Sequence, residues 1–558
     1  MARKKKPAGG RAAQFRDVDV EVLRRVIERG RTEPLSGDDV ALLMSAVNTI
    51  TALTSELQLE GVTLARLRRL FLGKTSEKTS KVLGDDEKPT RDDGDEGNAK
   101  PPADDADKTA QGKARGHGKN GAAAYTGATR KTVTHETMHR GDKCGGCTRG
   151  KLYPMKEPAT LLRVHGMAPL SATVWECDRL RCNACGEVFT APAPDGVGTE
   201  KYDEGAAAMV GMLRYGAGVP FNRIERLQDG LGVPLPASTQ WGLVDRRAEA
   251  LTPVFDALVR HAAQGEVLHN DDTSMTVLEL GERTREEALA AGESETTASR
   301  TGVRTSGVVA RVGEHKVALF FTGRQLAGEA LEEVLQERLA RLPLPIQMSD
   351  ALAHNLPREL KTIVANCLAH GRRYFVDIVE NFPDESRKVL ETLGDVYKND
   401  AVAREQKMTA QQRLLFHKER SGPPMKELKD WMQAQLDDKH VEPNSPLGEA
   451  LRYMLKHWPA LTLFLRVAGA PLDNNVCERA LKKAILHRKN SLFYRTVRGA
   501  LIGDMYMSLI HTAELNGVQP FPYLVELMRQ ADDVAGDPRA WFPWSYPARS
   551  TREDAGPP

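Results

Sequence analysis

Two apolar runs that end on carboxylates, an acid near the head of a basic helix, and two Cys-x-x-Cys pairs are the parts of this sequence that could do chemistry. Val267-Leu-His269-Asn-Asp271-Asp272 reads as a strand closing on acids. Leu344-Pro-Ile-Gln-Met-Ser-Asp350 reads as a second, buried strand closing on one. Acids at the ends of adjacent strands can meet within a few ångströms despite the length of chain between them. Glu478, in Asp473-Asn-Asn-Val-Cys-Glu478-Arg, is the best candidate for a third, and it shares a helix face with Lys482. Three such carboxylates holding two Mg²⁺ ions would suit phosphoryl transfer. The pattern alone is weak, because most of the 76 acids in the chain must be solvated surface.

Cys144-Gly-Gly-Cys147 and Cys182-Asn-Ala-Cys185-Gly are two knuckles whose four thiols fit one closed, tetrahedral, structural zinc. The intervening chain includes Thr160–Val164 and Thr173–Cys177, enough for a hairpin, with Cys177 a spectator. Two unrelated reduced pairs, or a redox couple, are the other readings.

Positioning these groups requires a sheet. After helical patterning over about 203–263, with Ser238 as an N-cap, the period changes to strand-like runs: 267–272, Met275–Leu280, Ser306–Val312 and Lys316–Thr322. A charged insert covers about 282–301, Ala327–Leu342 is helical, and the strand ending at Asp350 follows. Residues 370–530 read as almost wholly helical, with Trp431, Trp458 and Phe464 as core. His370 reads as a strand-end histidine, either an active-site group or a core hydrogen-bonder.

Upstream, residues 1–16 carry six Lys/Arg and no acid, a basic arm or a solubilising tail. A short helix over Asp17–Glu28 stops at Gly30. Ser36 and Asp39 resemble a capping box opening a helix with Leu43, Ile50, Leu57, Leu64 and Phe71 at seven-residue intervals. That pattern is a dimerising coiled coil or a helix packed on its own domain. Residues 85–107 hold ten acids and three bases without an aromatic, which makes 84–124 a linker.

The composition sets outer bounds. A chain of 558 residues, 41% hydrophobic and 28% charged, is multidomain and neither disordered throughout nor collagen-like. A net charge of +2 leaves any nucleic-acid footprint to local patches. Arg479–Arg498 is such a patch, seven bases and no acid, although a solvated helix face would look the same. Phe493 and Tyr494 within it could stack on a base or pack. No membrane span, secretory leader or disulfide scaffold is evident, so the expected location is cytoplasmic.

From about residue 60 to 546 the chain resembles transposases of the insertion sequence 66 family. The resemblance rests on Leu70-Phe-Leu-Gly-Lys-Thr-Ser-Glu77-Lys, Gly116-His-Gly-Lys, the two cysteine pairs, Asp271-Asp-Thr, Ser349-Asp350, Asn366-Cys-Leu-Ala-His370-Gly-Arg372-Arg373-Tyr-Phe, Leu472-Asp-Asn-Asn-Val-Cys-Glu478-Arg, Ser508–Leu524 and Pro543-Trp544. Asp272, His487 and Arg495-Thr-Val-Arg498 depart from the family pattern, which has a Glu, a Gly and a small-residue turn there. The resemblance implies a multidomain α+β fold: an N-terminal helical zipper, a zinc ribbon, and a ribonuclease-H-like catalytic core with a large helical insertion. The expected division is a basic arm and short helix (1–35), zipper (36–83), linker (84–124), zinc-binding domain (125–200), helical DNA-binding region (201–263), core (264–510) with its insertion at about 376–472, and a C-terminal helical segment (511–558).

The activity implied is metal-dependent DNA cleavage at element ends and strand transfer by the freed 3′-hydroxyl, with Asp271, Asp350 and Glu478 holding two Mg²⁺ (or Mn²⁺). Cys144, Cys147, Cys182 and Cys185 would hold one Zn²⁺, and Lys482, Lys483, Arg488, Lys489, Arg372 and Arg373 would meet DNA. The partners implied are terminal inverted repeats, target DNA, a second copy or higher oligomer, and accessory proteins of the same element. An inactive zinc-containing DNA-binding protein and a structural oligomerisation protein are the alternative functions.

Overall fold

The structure is a computed structural model. It describes residues 26, 27, 29, 30, 34–37, 39, 40, 43, 137–143, 151–153, 168–181, 185, 188–192, 194 and 200–546. The heptad positions after Leu43, the linker, and Cys144, Cys147 and Cys182 lie outside these, as does Thr160–Val164. Gly30 N–H bonds the Val26 carbonyl at the helix stop, and Ser36 and Asp39 exchange backbone-to-side-chain hydrogen bonds, each 3.2 Å.

One compact unit includes the described parts of 168–194 together with 222–237. Here Arg179–Arg181 (β1) and Val188–Thr190 (β2) pair antiparallel, Arg179 opposite Thr190. Cys185 lies in the chain between these two strands. Thr173–Cys177, expected as a strand, is irregular: the pairing partner of this region is the chain just after the knuckle. Most of helix α2 (Phe221–Gly230) is in this unit, where Gln228 donates to the Leu170 carbonyl at 3.1 Å.

The other unit takes in 201–221 and 238–546, so the divisions expected at 263 and 510 both fall inside it. Helix α1 (Glu204–Gly211) leads it, capped by Asp203 and continuing as a π-turn, Met212–Gly216. Helix α3 (Ala237–Ala262) starts one residue ahead of Ser238, immediately after Pro236. Five strands follow: β3 (Val267–Met275), β4 (Val303–Val312), β5 (His315–Gly323), β6 (Ile346–Ser349) and β7 (Ile363–Asn366), in the order β5-β4-β3-β6-β7. The first three are antiparallel neighbours, and β6 and β7 run parallel to β3. Gly313 turns the β4–β5 hairpin with φ +59°, backbone that glycine adopts without strain.

Met275–Leu280, expected as a strand, is instead the end of β3 and a short helix, α4 (Leu278–Glu282). The charged insert folds as α5 (Arg285–Ala290) and α6 (Glu295–Ala298), each N-capped by a hydroxyl side chain. Between β5 and β6 runs α7 (Ala327–Gln336). Strand β7 carries no clear signal in the sequence, and His370 is not at a strand end. It sits in helix α8 (Leu368–Ile378), because the chain turns helical directly after Cys367.

Helices α9 (Pro383–Glu405), α10 (Ala410–Arg420), α11 (Gly422–Asp437) and α12 (Pro446–Leu461) form the insertion. They build one apolar core with the β6–β7 side of the sheet, through Met348, Phe375, Leu393, Met432, Trp458 and Phe464, with Trp431 packed on its flank. Helix α13 (Asn475–Ser491) then returns to β3 and β4. Helix α14 (Val497–Leu515) lies on β5, and α15 (Pro520–Arg529) and α16 (Ala531–Gly536) complete the unit.

Sheet edges need partners for their free N–H groups. On β5, Thr512 and Ser508 hydroxyls accept from Ala318 and Phe320 N–H, both at 3.0 Å, and the Asp504 carboxyl accepts from Thr322 N–H at 2.6 Å. These three side chains stand four residues apart on α14, one turn each, and so match alternate residues of the strand. No described helix is long and apolar enough to cross a membrane.

Candidate active site

The proposed acids come together at one end of the sheet. Asp271 is in β3, paired across the ladder with Gly307 of β4. Asp350 directly follows β6, and β6 runs parallel beside β3 with His269 opposite Met348. Glu478 is in the first turn of α13, which packs on β3 and β4. Gly307 makes that packing possible: a Cβ there would meet Leu481 of α13 at 3.0 Å, and its carbonyl accepts from the Cys477 thiol at 3.3 Å.

Asn474 fixes where α13 begins. Its side-chain amide donates to the Asn270 carbonyl at 3.1 Å. Its side-chain oxygen lies 3.1 Å from His269 Nδ1, and its backbone N–H points at the Cys367 sulfur at 3.2 Å. Burial pushes the His269 pKa down to about 4, so the ring is neutral, and Nδ1 carries the proton donated to Asn474. One buried asparagine thus joins β3, the β7–α8 turn and the helix that carries Glu478. Asp350 is oriented separately. It accepts from the Asn355 side-chain amide and from Leu352 N–H at 3.3 Å. Asn355 is pinned in turn because its carbonyl accepts from Asn270 at 2.8 Å and Gln347 at 2.7 Å.

The electrostatics are those of a site short of positive charge. Burial, with the nearby charges of Asp350, Asp272 and Glu478, pushes Asp271 up to about 7 against one opposing hydrogen bond from Asp272 N–H. Glu478 Oε1 and His370 Nδ1 are both buried without a hydrogen-bond partner, 3.8 Å apart. With Cys367 they could group around a cation. The sulfur, however, is fully buried with its pKa pushed up to about 12, and a hard cation prefers carboxylate oxygen. Among the described residues, the donor atoms close enough to share one ion are those of Cys367, His370 and Glu478; Asp271 and Asp350 stand outside that group, although the charges of Asp350 and Glu478 reach Asp271.

Asp272 is on the other face. Successive strand residues point to opposite sides, and Asp272 is held by Arg304 at 2.7 Å, with His354 Nε2 at 3.9 Å. Among the expected DNA contacts, Lys482 and Lys489 are exposed on α13. Lys483 pairs with Glu514 at 2.9 Å, and Arg488 reaches back to Thr273 and to the Ser274 carbonyl at 2.5 Å. Arg372 and Arg373 are half-buried on α8. Tyr494 is buried and stacks on His487 at 4.1 Å, whereas Phe493 is exposed. Of the four cysteines expected at zinc, the described one, Cys185, is exposed.

A family model described as "Transposase IS66 family" matches residues 200–501, more than half of the chain. The chain belongs to that family. The matched span runs from just before α1 into α14 and contains all three carboxylates. The transposase is also similar to proteins of Sinorhizobium fredii (strain NBRC 101917 / NGR234). "Uncharacterized protein y4jD" is 26% identical over 390 residues, covering 66% of this chain and 71% of that protein. "Uncharacterized protein y4hP" is 27% identical over 420 residues, covering 72% of each. Membership implies action on DNA.

Proposed function

We propose that the protein cleaves DNA at the ends of its element and joins the freed 3′-hydroxyl to target DNA, with Asp271, Asp350 and Glu478 as catalytic carboxylates. The observation that carries this reading is the convergence of three acids, supplied by β3, the end of β6 and α13, with no Lys or Arg among the described residues paired to any of them. The strand order, with three antiparallel strands followed by two parallel to the first, supports a ribonuclease-H-like core. The helical insertion enters it between β7 and α13.

Two Mg²⁺ ions held by these carboxylates would supply Lewis acidity at the scissile phosphate and a means to activate water and then the 3′-hydroxyl. The chain's own part is positioning. Asn474 and Gly307 set the depth of Glu478, Asn355 orients Asp350, and burial keeps the group dry enough for charge to act strongly. Exposed Lys482 and Lys489, on the same helix as Glu478, would meet phosphates of the bound strand, joined by Arg372 and Arg373; Lys483 and Arg488 would exchange their present partners for them. A zinc held by Cys144, Cys147, Cys182 and Cys185 would cap the β1–β2 hairpin, and the Leu43–Phe71 heptads would pair two copies.

The test is cleavage of a labelled terminal-repeat duplex in Mg²⁺, with any accessory proteins of the element present. Asp271→Ala, Asp350→Ala and Glu478→Ala should each lose at least about a thousandfold in nicking and strand transfer while retaining end binding by gel shift. Full cleavage by any one of them removes that residue from the trio. Retained cleavage by all three ends the reading.

A further inference from the structure

A cavity of about 530 Å³ opens on the same sheet face as Asp271, beside the start of β3 and between the sheet and helices α9 and α10 of the insertion. Its lining is strongly basic. Arg311 of β4, Lys316 of β5, Arg404 of α9, Lys407 in the α9–α10 turn, Arg413 of α10 and Arg479 of α13 all border it, against Asp400 and Asp473. Asp400 is already engaged: Arg413 donates to it at 2.7 Å, His417 lies at 3.3 Å and Arg404 at 3.4 Å. Burial raises the Asp473 pKa above the ordinary carboxylate value, against the Asn475 N–H and Arg479, which lower it. Among the described residues, no carboxylate comes within ion-pair distance of Arg311, Lys316 or Lys407.

The placement of two of these cations works against the fold. Arg311 and Lys316 are direct cross-strand partners, so their side chains leave the sheet side by side on one face. Like charges directly opposite are destabilising, and although Asp400 and Asp473 line the same cavity, no described acid comes within 4.0 Å of either cation to pair with it. Gly469, at φ +83°, leaves room for the Arg311 guanidinium: a Cβ there would lie 3.3 Å from its Nη2. Lys407 occupies left-handed backbone, φ 49°, just past the end of α9, a position that favours glycine. Unrelieved repulsion, room kept for a guanidinium, and a lysine in glycine's place all point to an anion that arrives from outside.

We propose that this cleft is a phosphate-binding site, separate from the carboxylates, that takes two or more phosphate groups at once between the β4–β5 hairpin and the insertion. The phosphates can come from a DNA strand or from a free polyphosphate, and the experiment distinguishes these. The site does not depend on the catalytic assignment, so a Glu478→Ala chain should bind the same probes equally well.

The experiment uses the full chain without divalent metal and two probes: inorganic triphosphate, read by the shift in thermal midpoint, and a labelled ten-nucleotide single strand, read by anisotropy. Lys316→Gln and Arg311→Gln are compared with wild type and with Lys429→Gln, an exposed lysine on α11. Triphosphate should raise the wild-type midpoint in a dose-dependent way. Both cleft variants should show a higher ligand-free midpoint than wild type, through relief of the repulsion, and at least tenfold weaker triphosphate binding. If oligonucleotide affinity falls at least tenfold as well, with a salt slope shallower by about 0.7 per lost contact, DNA is the source. If only triphosphate binding falls, the source is a free polyphosphate. Binding of both probes by both cleft variants at the level of Lys429→Gln would overturn the proposal. Lys316 is exposed, so its variant keeps the test valid even if Arg311→Gln does not fold.

Discussion

Asp271 and Asp504 are both carboxyls pushed up to about 7, and they arrive there in different settings. Asp504 lies inside the contact between α14 and β5, where burial alone raises it and both its oxygens are matched, to Thr322 N–H at 2.6 Å and to the Thr322 hydroxyl at 2.7 Å. Asp271 stands half-buried in the middle of β3, which runs on past it to Met275, and there neighbouring carboxylates add to the effect of burial. The first environment is complete: a protonated Asp504 satisfies every partner. The second is incomplete in a particular way, since three acids share it and no Lys or Arg among the described residues answers them. A perturbed carboxyl signals a ligand site only when its surroundings leave charge unbalanced.

The largest effect that tests this contrast is on stability. An acid whose pKa is raised in the folded state binds its proton more tightly there than in the unfolded chain. Its contribution is present below the unfolded value and is lost as pH rises toward the folded value. Asp504 should therefore cost stability progressively between about pH 4 and pH 7, up to about 4 kcal/mol. Asp504→Asn keeps the shape and should flatten that fall, seen as a denaturation midpoint that no longer declines over the window. An unchanged pH profile would show that Asp504 is ionised in place.

At Asp271, on the proposed reading, the proton would compete with a cation instead. Mg²⁺ affinity, followed by calorimetry, should be level above about pH 7 and fall roughly tenfold per pH unit below it. In Glu478→Gln, one repelling charge is gone and the onset should move to lower pH. An onset that stays put would mean that Glu478 does not act on Asp271. The smallest effect belongs to the other face of the same strand. Asp272→Asn weakens a pair between a buried carboxylate and a part-exposed Arg304 and should cost about 1–3 kcal/mol of stability, with cleavage within about threefold of wild type. A hundredfold loss would place Asp272, not Asp271, toward the reacting strand.

The sequence reveals the acids but not what holds them. Asp271 and Asp350 are legible because apolar runs end on them, and Glu478 because a basic helix begins beside it. Asn474, His269 and Gly307 give no signal, because their importance lies in contacts between residues that the chain keeps about 200 positions apart. Strand β7 is hidden because its four residues, ending on a small and a polar side chain, carry too little periodicity: Ile363-Val-Ala-Asn366 looks like an approach to the helix that follows. Met275–Leu280 misleads for the opposite reason, an alternating pattern that the chain spends on a strand end and a helical turn. The cations of the basic cleft are dispersed from 311 to 479, so no local run of charge announces them.

His269 and Asn474, 205 positions apart, must meet before the third carboxylate has a place to stand. At a synthesis rate of about 5–20 residues per second, roughly 10–40 seconds separate the emergence of the two. During that interval β3 to β7 and the insertion can already be assembled, with two acids exposed and no helix to complete them. On the proposed reading, a nascent chain of this kind would not cut the DNA around it. Cutting would then wait until the chain has been made past Ser491 and α13 has docked, so the order of elements along the chain is itself a delay.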